Sequence, residues 1–444
     1  MSRAELVSRL RPEPAGGHPP TLRMLRVLLA FESSLYAAVT PVLPHYARTL
    51  HASKPAIGLL AAAYAAGVIP GSLIGGWAAA RAGVRRTTVG GLIAFAVAVA
   101  AFGFATDLVA LDLLRVAQGL ACGFIWGGGL AWAIAVAPRE RRGAVIGAVI
   151  GAAIFGTLIG PLLGVFAVSA GTAPVFTAVG GAAVALALWV RRHPDPGSAE
   201  AHGEPATLRV HGRALLTQSG LWLGVWLVAF DAMSTGALSA LLPLRLSQLG
   251  ASGVAIGATF VLASAVATLL APVIGRASDR HGARRPMTVG LVSGAALFAA
   301  MTLPGAWLPL AAVSVLVLGG PLSAFMIPAV PVMTASAERV GVTVVVATSL
   351  VNLAYAVGET LGAPTAALLS TASSDAVPYL GVAGLMLASL VLVRRSRRTA
   401  RPVFSASVPR TSAPAAGGRR ETVDPRSDRD HACSFPVAER TDSR

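Results

Sequence analysis

The chain has 444 residues, 55% of them hydrophobic and only 13% charged, with a net charge of +16. Soluble globular chains carry about 25% charged residues, so this composition excludes that class, and apolar runs of membrane-spanning length recur throughout. The two cysteines, Cys122 and Cys433, suggest neither a disulfide framework nor a metal site.

Residues 1–21 are polar and Pro/Gly-rich, and no small-residue cleavage site follows a short apolar core, so the first span is expected to be retained. Twelve candidate spans follow, at about 22–46, 55–80, 87–106, 108–136, 143–168, 172–190, 219–245, 254–278, 286–304, 307–330, 342–368 and 376–393. They are broken by basic or Pro/Gly punctuation such as "RAGVRR" and "DRHGARR". The runs are long and lack period-2 alternation, which argues against a β-barrel.

The second half repeats the first at an offset of 199. "AFES" around Glu32 meets "AFDA" around Asp231, Pro44 meets Pro243, "ASKPAIG" meets "ASGVAIG", and "GWAAARAGVRR" meets "GRASDRHGARR". A repeat with an even number of spans keeps its membrane orientation. The expected fold is therefore all-α and integral to the membrane, with twelve transmembrane helices in two parallel six-helix repeats. Its parts are a cytoplasmic N-terminal tail (1–21), an N-terminal bundle (22–190), a cytoplasmic linker (191–218), a C-terminal bundle (219–393) and a disordered Arg-rich cytoplasmic tail (394–444).

Loops after spans 2, 4, 8 and 10 hold eleven arginines, among them Arg81, Arg85, Arg86, Arg139, Arg141, Arg276, Arg280, Arg284, Arg285 and Arg339. The opposite loops hold only Arg48, Lys54 and Arg245. This asymmetry places both termini in the cytoplasm and the chain, multi-pass, in the plasma membrane. It also explains the basic balance without nucleic acid, which is not expected as a partner. Lys54 is the only lysine.

Glu32 interrupts an otherwise apolar first span near its middle, and Asp231 does the same in span 7. A charge at a helix centre costs about 2.5–3.5 kcal/mol on insertion scales, so both are expected to face the bundle interior or a wet cavity. A structural carboxylate bound to a neighbouring helix is the alternative. Tyr36, one turn above Glu32, could bond to it or stack against a substrate ring. In span 4, Asp112, Arg115, Gln118 and Cys122 share one helical face. Asp112 could hold Arg115 in a fixed salt bridge, or Arg115 could reach an acid on another helix. Trp126 and Trp132 read as lipid or core residues. Span 11 presents Asn352, Tyr355 and Glu359 on one face, as cavity groups or as helix–helix contacts. Glu359 is expected toward the outer end.

Several motifs resemble those of the major facilitator superfamily. The loop after span 8 has Gly275, Asp279, Arg280, Gly282, Arg284 and Arg285. Its first-half copy has Gly76, Arg81, Gly83, Arg85 and Arg86, with Ala80 at the acidic position. "RVAQG" in span 4 is similar to the family's Arg-x-x-Gln-Gly element. "GTLIGPLLG" in span 5, with Gly156, Gly160, Pro161 and Gly164, is similar to a motif of the drug:proton antiporters. So is the pattern of Glu32 followed by Pro41 and Pro44.

The resemblance implies proton-coupled export of small lipophilic or cationic compounds by alternating access. The expected partners are a small-molecule substrate, protons and the lipid bilayer, with the chain a monomer. The span 5 glycines are expected to give a tight contact between halves, and Asp279 to latch one conformation by capping a helix or pairing with arginine. No metal-ligand cluster, nucleotide loop or nucleophile–base spacing appears, so no enzyme and no cofactor is expected beyond the proton gradient as energy source. A facilitator or symporter for a metabolite is the rival, and a transporter-like receptor or scaffold signalling through its tail is a second.

Overall fold

A computed structural model of the chain describes residues 19–137, 142–195, 218–303, 305–339 and 344–395. The N-terminal tail through residue 18, Arg139, Arg141, linker residues 196–217 and the tail from 396, with Cys433, lie outside the described residues.

The described residues form fourteen α-helices and one short 3₁₀ turn, with no strand among them. The first half holds α1 (Pro19–Ala38), α2 (Leu43–Thr49), α3 (Lys54–Ala82), α4 (Val84–Phe102), α5 (Leu108–Val136), α6 (Arg142–Ala170) and α7 (Thr172–Arg191). The second holds α8 (Ser219–Gln248), α9 (Gly253–His281), α10 (Arg284–Ala300), α11 (Trp307–Gly319), α12 (Pro321–Glu338), α13 (Val344–Ala372) and α14 (Ala376–Arg395).

Ten segments are long and apolar enough to cross a membrane; α1 and α2 count as one of them, as do α11 and α12. The two remaining expected spans are α10, with 17 residues, and α13, whose apolar run is interrupted by Asn352, Glu359 and threonines. Large apolar side chains face outward along these helices, Leu269 at 73% and Val109 at 67% exposure. That surface suits hydrocarbon rather than water.

Local chemistry sets the helix ends. Ser53 and Ser252, matched at the repeat offset, both sit in extended backbone and cap α3 and α9 by accepting from Ala56 N and Ala255 N. Asp107 caps α5 by accepting from Ala110 N at 2.9 Å. Gly83 and Gly282 follow α3 and α9 with φ of +88° and +80°, a conformation that side-chain-bearing residues rarely adopt. In span 1, Pro41 and Pro44 break the helix into α1, a 3₁₀ turn at Thr40–Val42, and α2. Its counterpart keeps only Pro243 and runs unbroken as α8.

Each half has its own apolar core. In the first, α1 packs on α6, α3 on α5, and α4 on α5 and α7; in the second, α8 packs on α13, α9 on α11, and α10 on α12 and α14. The span 5 glycines correct one expectation. A Cβ at Gly156, Gly160 or Gly164 would lie 2.1, 2.4 or 1.9 Å from the carbonyl oxygens of Ala30, Ser34 and Ala38. They seal α6 against α1 within the first half, not one half against the other. The contact between halves on α6 comes from Pro161 and Val165, which face Gly257 of α9.

The halves meet mainly through α3 with α13 and α6 with α9. We call the side holding the start of α1 and the end of α14 the terminal side. The contacts between halves named here lie at mid-depth or toward the opposite side. Gly58 meets Ala363 and Ala367, Ala62 clusters with Ala240 and Ala363, and Lys54 binds Ser370 at 3.2 Å and Asp375 at 2.5 Å. Toward the terminal side, Gly76, Gly147, Gly151 and Gly275 have nothing within 4 Å of a Cβ position. Among the described residues, the contacts of Gly58, Ala62 and Lys54 join the halves on the far side and at mid-depth.

Candidate functional site

Three carboxylates lie at similar distances along their helices. At 1.5 Å per residue, Glu32 stands about 20 Å along α1 from the terminal side, Asp231 about 18 Å along α8, and Glu359 about 22 Å along α13. All three are buried, at 2%, 7% and 6% exposure. Glu359 is thus mid-helix and enclosed, not at the outer end expected from the sequence. The helix extends to Ala372 beyond it, and Tyr36 covers it.

Glu32 is fully provided with donors. The Tyr64 hydroxyl donates to Oε1, the Trp126 indole N–H donates to Oε2 at 2.7 Å, and Ser33 reaches Oε2 at 3.4 Å. Trp126 is therefore a site residue rather than a lipid or core residue. Trp132 matches the core expectation, with 0% exposure and an indole nitrogen that has no partner. Tyr36 does not bond to Glu32. Its ring lies 5.3 Å from that of Tyr64, and its hydroxyl donates across the halves to Glu359. Tyr355 lies beside Tyr36, Glu359 and Asp231. Glu32 and Glu359 are thus linked through Tyr64 and Tyr36, whose rings are in contact, with Tyr355 beside Tyr36.

Arg115 sits beside these groups with 3% exposure. Its guanidinium lies 4.6 Å over the Tyr64 ring, its Nη1 donates to Gln118 Oε1 at 2.9 Å, and Gln118 in turn donates to the Ala98 carbonyl at 3.3 Å. The Asp112–Arg115 salt bridge is absent among the described ion pairs, and Asp112 Oδ1 and Arg115 Nε are buried without a partner. Arg115 acts instead on Tyr64, Tyr36, Glu359 and Glu32. Cys122, on the same face of α5, is buried beside Glu32 and Tyr64. Asn352, two turns toward the terminal side from Glu359, is exposed.

The loop motifs lie away from this centre. Arg81 stacks on Trp77 at 4.5 Å, and Arg85 pairs with Asp195 at 3.6 Å. Arg86, Asp279, Arg280 and Arg285 are exposed, Arg284 is half-buried, and Asp279 makes no ion pair among the described residues. On the far side, Lys54 and Asp375 join the halves at their rim. Burial raises the Asp375 carboxyl, but hydrogen bonds from Lys54 and Ser370 outweigh it, and the group lies below its ordinary value.

Sequence reasoning missed Tyr64, Trp126, Ser370 and Asp375. Tyrosine is scarce, with five in the chain, so one within an apolar span was the available signal for Tyr64. The sole lysine was the corresponding signal for the far-side pair.

A Major Facilitator Superfamily model matches residues 27–346 and 228–426. A curated relative, the MFS-type transporter ppzB of Metarhizium majus (strain ARSEF 297), is 34% identical over 119 residues, which is 26% of this chain and 26% of that protein. The match thus spans about a quarter of the relative's length. A bacterial homolog of the human lysosomal transporter Spinster, in an inward-facing and unoccupied conformation, aligns with TM-score 0.67 at 19% identity, covering 86% of this chain and 96% of the other. The nucleoside transporter NupG aligns with TM-score 0.68 at 13% identity, over 84% and 99%. At these identities the structural likeness speaks for the fold alone. With the family model spanning both halves, the chain belongs to the major facilitator superfamily of membrane transporters and is not an enzyme.

Proposed function

We propose that this chain exports small lipophilic cations in exchange for protons, by alternating access between its two six-helix halves in the plasma membrane. Both termini are cytoplasmic in this reading, so the far side, where Lys54 and Asp375 join the halves, is the external one. The observation that carries it is the set of buried carboxylates at similar distances along their helices, with Tyr36 of one half bonded to Glu359 of the other.

Intramembrane acids are costly and mark ion or substrate paths. A carboxyl in a water-poor cavity is cheapest when neutral or paired. An arriving cation favours the ionised form and displaces a proton, so proton and substrate exclude each other at one set of groups. When the halves rock, the Tyr36–Glu359 bond lies on the moving boundary and links occupancy to geometry. Three tyrosines and a tryptophan around the acids give an apolar aromatic wall for the body of a lipophilic substrate. Arg115 supplies a fixed positive charge that keeps Glu32 and Glu359 from acting as a second pair of free anions.

The test is uptake of a cationic dye into inside-out vesicles with an imposed proton gradient. Gradient-driven accumulation that substrate and protons compete for supports antiport. Equilibration without any response to the gradient would establish a facilitator instead.

A further inference from the structure

Glu32 and Asp231 occupy the same place in the two halves, but their surroundings differ. Glu32 accepts from three donors and is walled in by Tyr64 and Trp126. Asp231, with 93% of its surface buried, has no hydrogen bond among the described residues, and its oxygens are not among the sealed polar atoms. Arg115, the buried cation of the site, acts on Glu32 and Glu359, and Asp231 is not among its partners. Among the elements packed on α8, α13 brings Tyr355 and Glu359 toward Asp231, and no ion pair to Asp231 is present among the described residues.

A buried carboxylate with neither donor nor counter-charge is the least favourable group in such a site. Proteins keep such a group when something outside the chain completes it. We propose that Asp231, with Tyr355 beside it, receives the positive charge of a bound organic cation, and that Glu32 is held from that contact by its own hydrogen bonds. The ligand class is a singly charged lipophilic ammonium or phosphonium with no exposed anionic group, since a second negative charge would meet Glu359. This assignment rests on the cation-export reading and divides its labour. Asp231 meets the cation, while Glu32, Tyr64, Tyr36 and Glu359 carry the proton-linked rearrangement.

The experiment titrates purified full-length protein at fixed pH with ethidium, with tetraphenylphosphonium as competitor and uncharged Nile red as control. Asp231→Asn is expected to raise the ethidium Kd by about tenfold or more while Nile red is bound as by the parent, and Asp231→Glu to recover affinity to within about threefold. Glu32→Gln is expected to cost less ethidium affinity than Asp231→Asn. Asp231→Asn is also expected to leave the melting temperature close to the parent's, because it removes no hydrogen bond or ion pair found among the described residues.

Parent-like ethidium binding by Asp231→Asn, a larger loss with Glu32→Gln, or equal loss of ethidium and Nile red would each overturn the assignment. Ethidium binding that depends on Asp231 without any gradient-driven export would leave it standing and remove the antiport reading. No binding of either cation by the parent would remove both.

Discussion

The two halves share their punctuation and differ in their chemistry. Ser53 and Ser252 cap equivalent helices, and Gly83 and Gly282 turn with nearly equal positive φ. Glycines in α6 seal α1, as Gly358 and Gly362 in α13 seal α8. Against that frame, Pro41 breaks span 1 where Ala240 leaves α8 whole, and Glu32 is fully bonded where Asp231 is bare. Backbone turns and close helix contacts tolerate few residue types, so they persist in both copies. Polar side chains inside the cavity are free to diverge, and the division of a transport cycle between two acids needs them to.

The largest effect is expected at Glu32. Glu32→Gln keeps the shape and the Trp126 bond while removing the ionisable group, so gradient-driven export should fall by more than about a hundredfold, about 2.7 kcal/mol. Transport in inside-out vesicles checks this, with insertion verified separately. Parent-like rates would make Glu32 a structural carboxylate and leave the chemistry of the cycle to the second half.

Packing should respond next, and equally in both halves. Gly164→Ala and Gly358→Ala each place a Cβ 1.9 Å from a backbone oxygen, of Ala38 and of Ala229. Backbone cannot step aside as a side chain can, so each should cost about 1–3 kcal/mol. Gly76→Ala meets nothing within 4 Å and should stay within about 0.5 kcal/mol. Thermal unfolding in detergent separates the two outcomes. A loss at Gly164 without one at Gly358 would show that the halves are not packed by the same rule.

The clasp between halves on the far side follows. Asp375 is held below its ordinary value, so its contribution is complete above the unfolded carboxyl pKa, about 3.9, and is lost as pH falls through the lower folded value. Both partners are partly exposed, near 29% and 28%, which limits the pair to about 1 kcal/mol. Asp375→Asn, or acid below about pH 4 on the far side, should shift the population toward far-side opening by about fivefold. Labelling of a cysteine placed at residue 367 reads that shift, and a pH-independent labelling rate in the parent would assign closure to helix packing alone.

Much of this arrangement was legible beforehand. The apolar runs, the 199-residue offset and the paired acids follow from composition and spacing, because each is a property of one helix. Depth could also be read for Glu32 and Asp231, which lie mid-run. What escaped were encounters between helices. Tyr64 and Trp126 look like ordinary apolar-span aromatics until α3 and α5 bring them to Glu32. Lys54 and Asp375 are 321 residues apart, and nothing in either segment names the other. Gly156, Gly160 and Gly164 announce a close contact, but not that α1 is the helix they meet. Glu359 was misplaced because its run was read as ending sooner than α13 does.

The smallest effect concerns the two terminal-side loops, where the halves differ by one residue, Asp279 against Ala80. Asp279 is exposed and makes no ion pair among the described residues. A latch would have this appearance when released, because its partner is reached only when the halves close there. Asp279→Ala then weakens only the closed state, and by linkage the resting population moves toward the open one. An exposed pair contributes little, so the change should be about twofold to threefold. Ala80→Asp should move the population the opposite way by a similar factor, giving the first half the acid that the second already has. The readout is the labelling rate of single cysteines at the terminal-side ends of α5 and α12, with Cys122 and Cys433 replaced. Equal rates in parent and both variants would mean that these loops orient the chain in the membrane and do nothing to hold it shut.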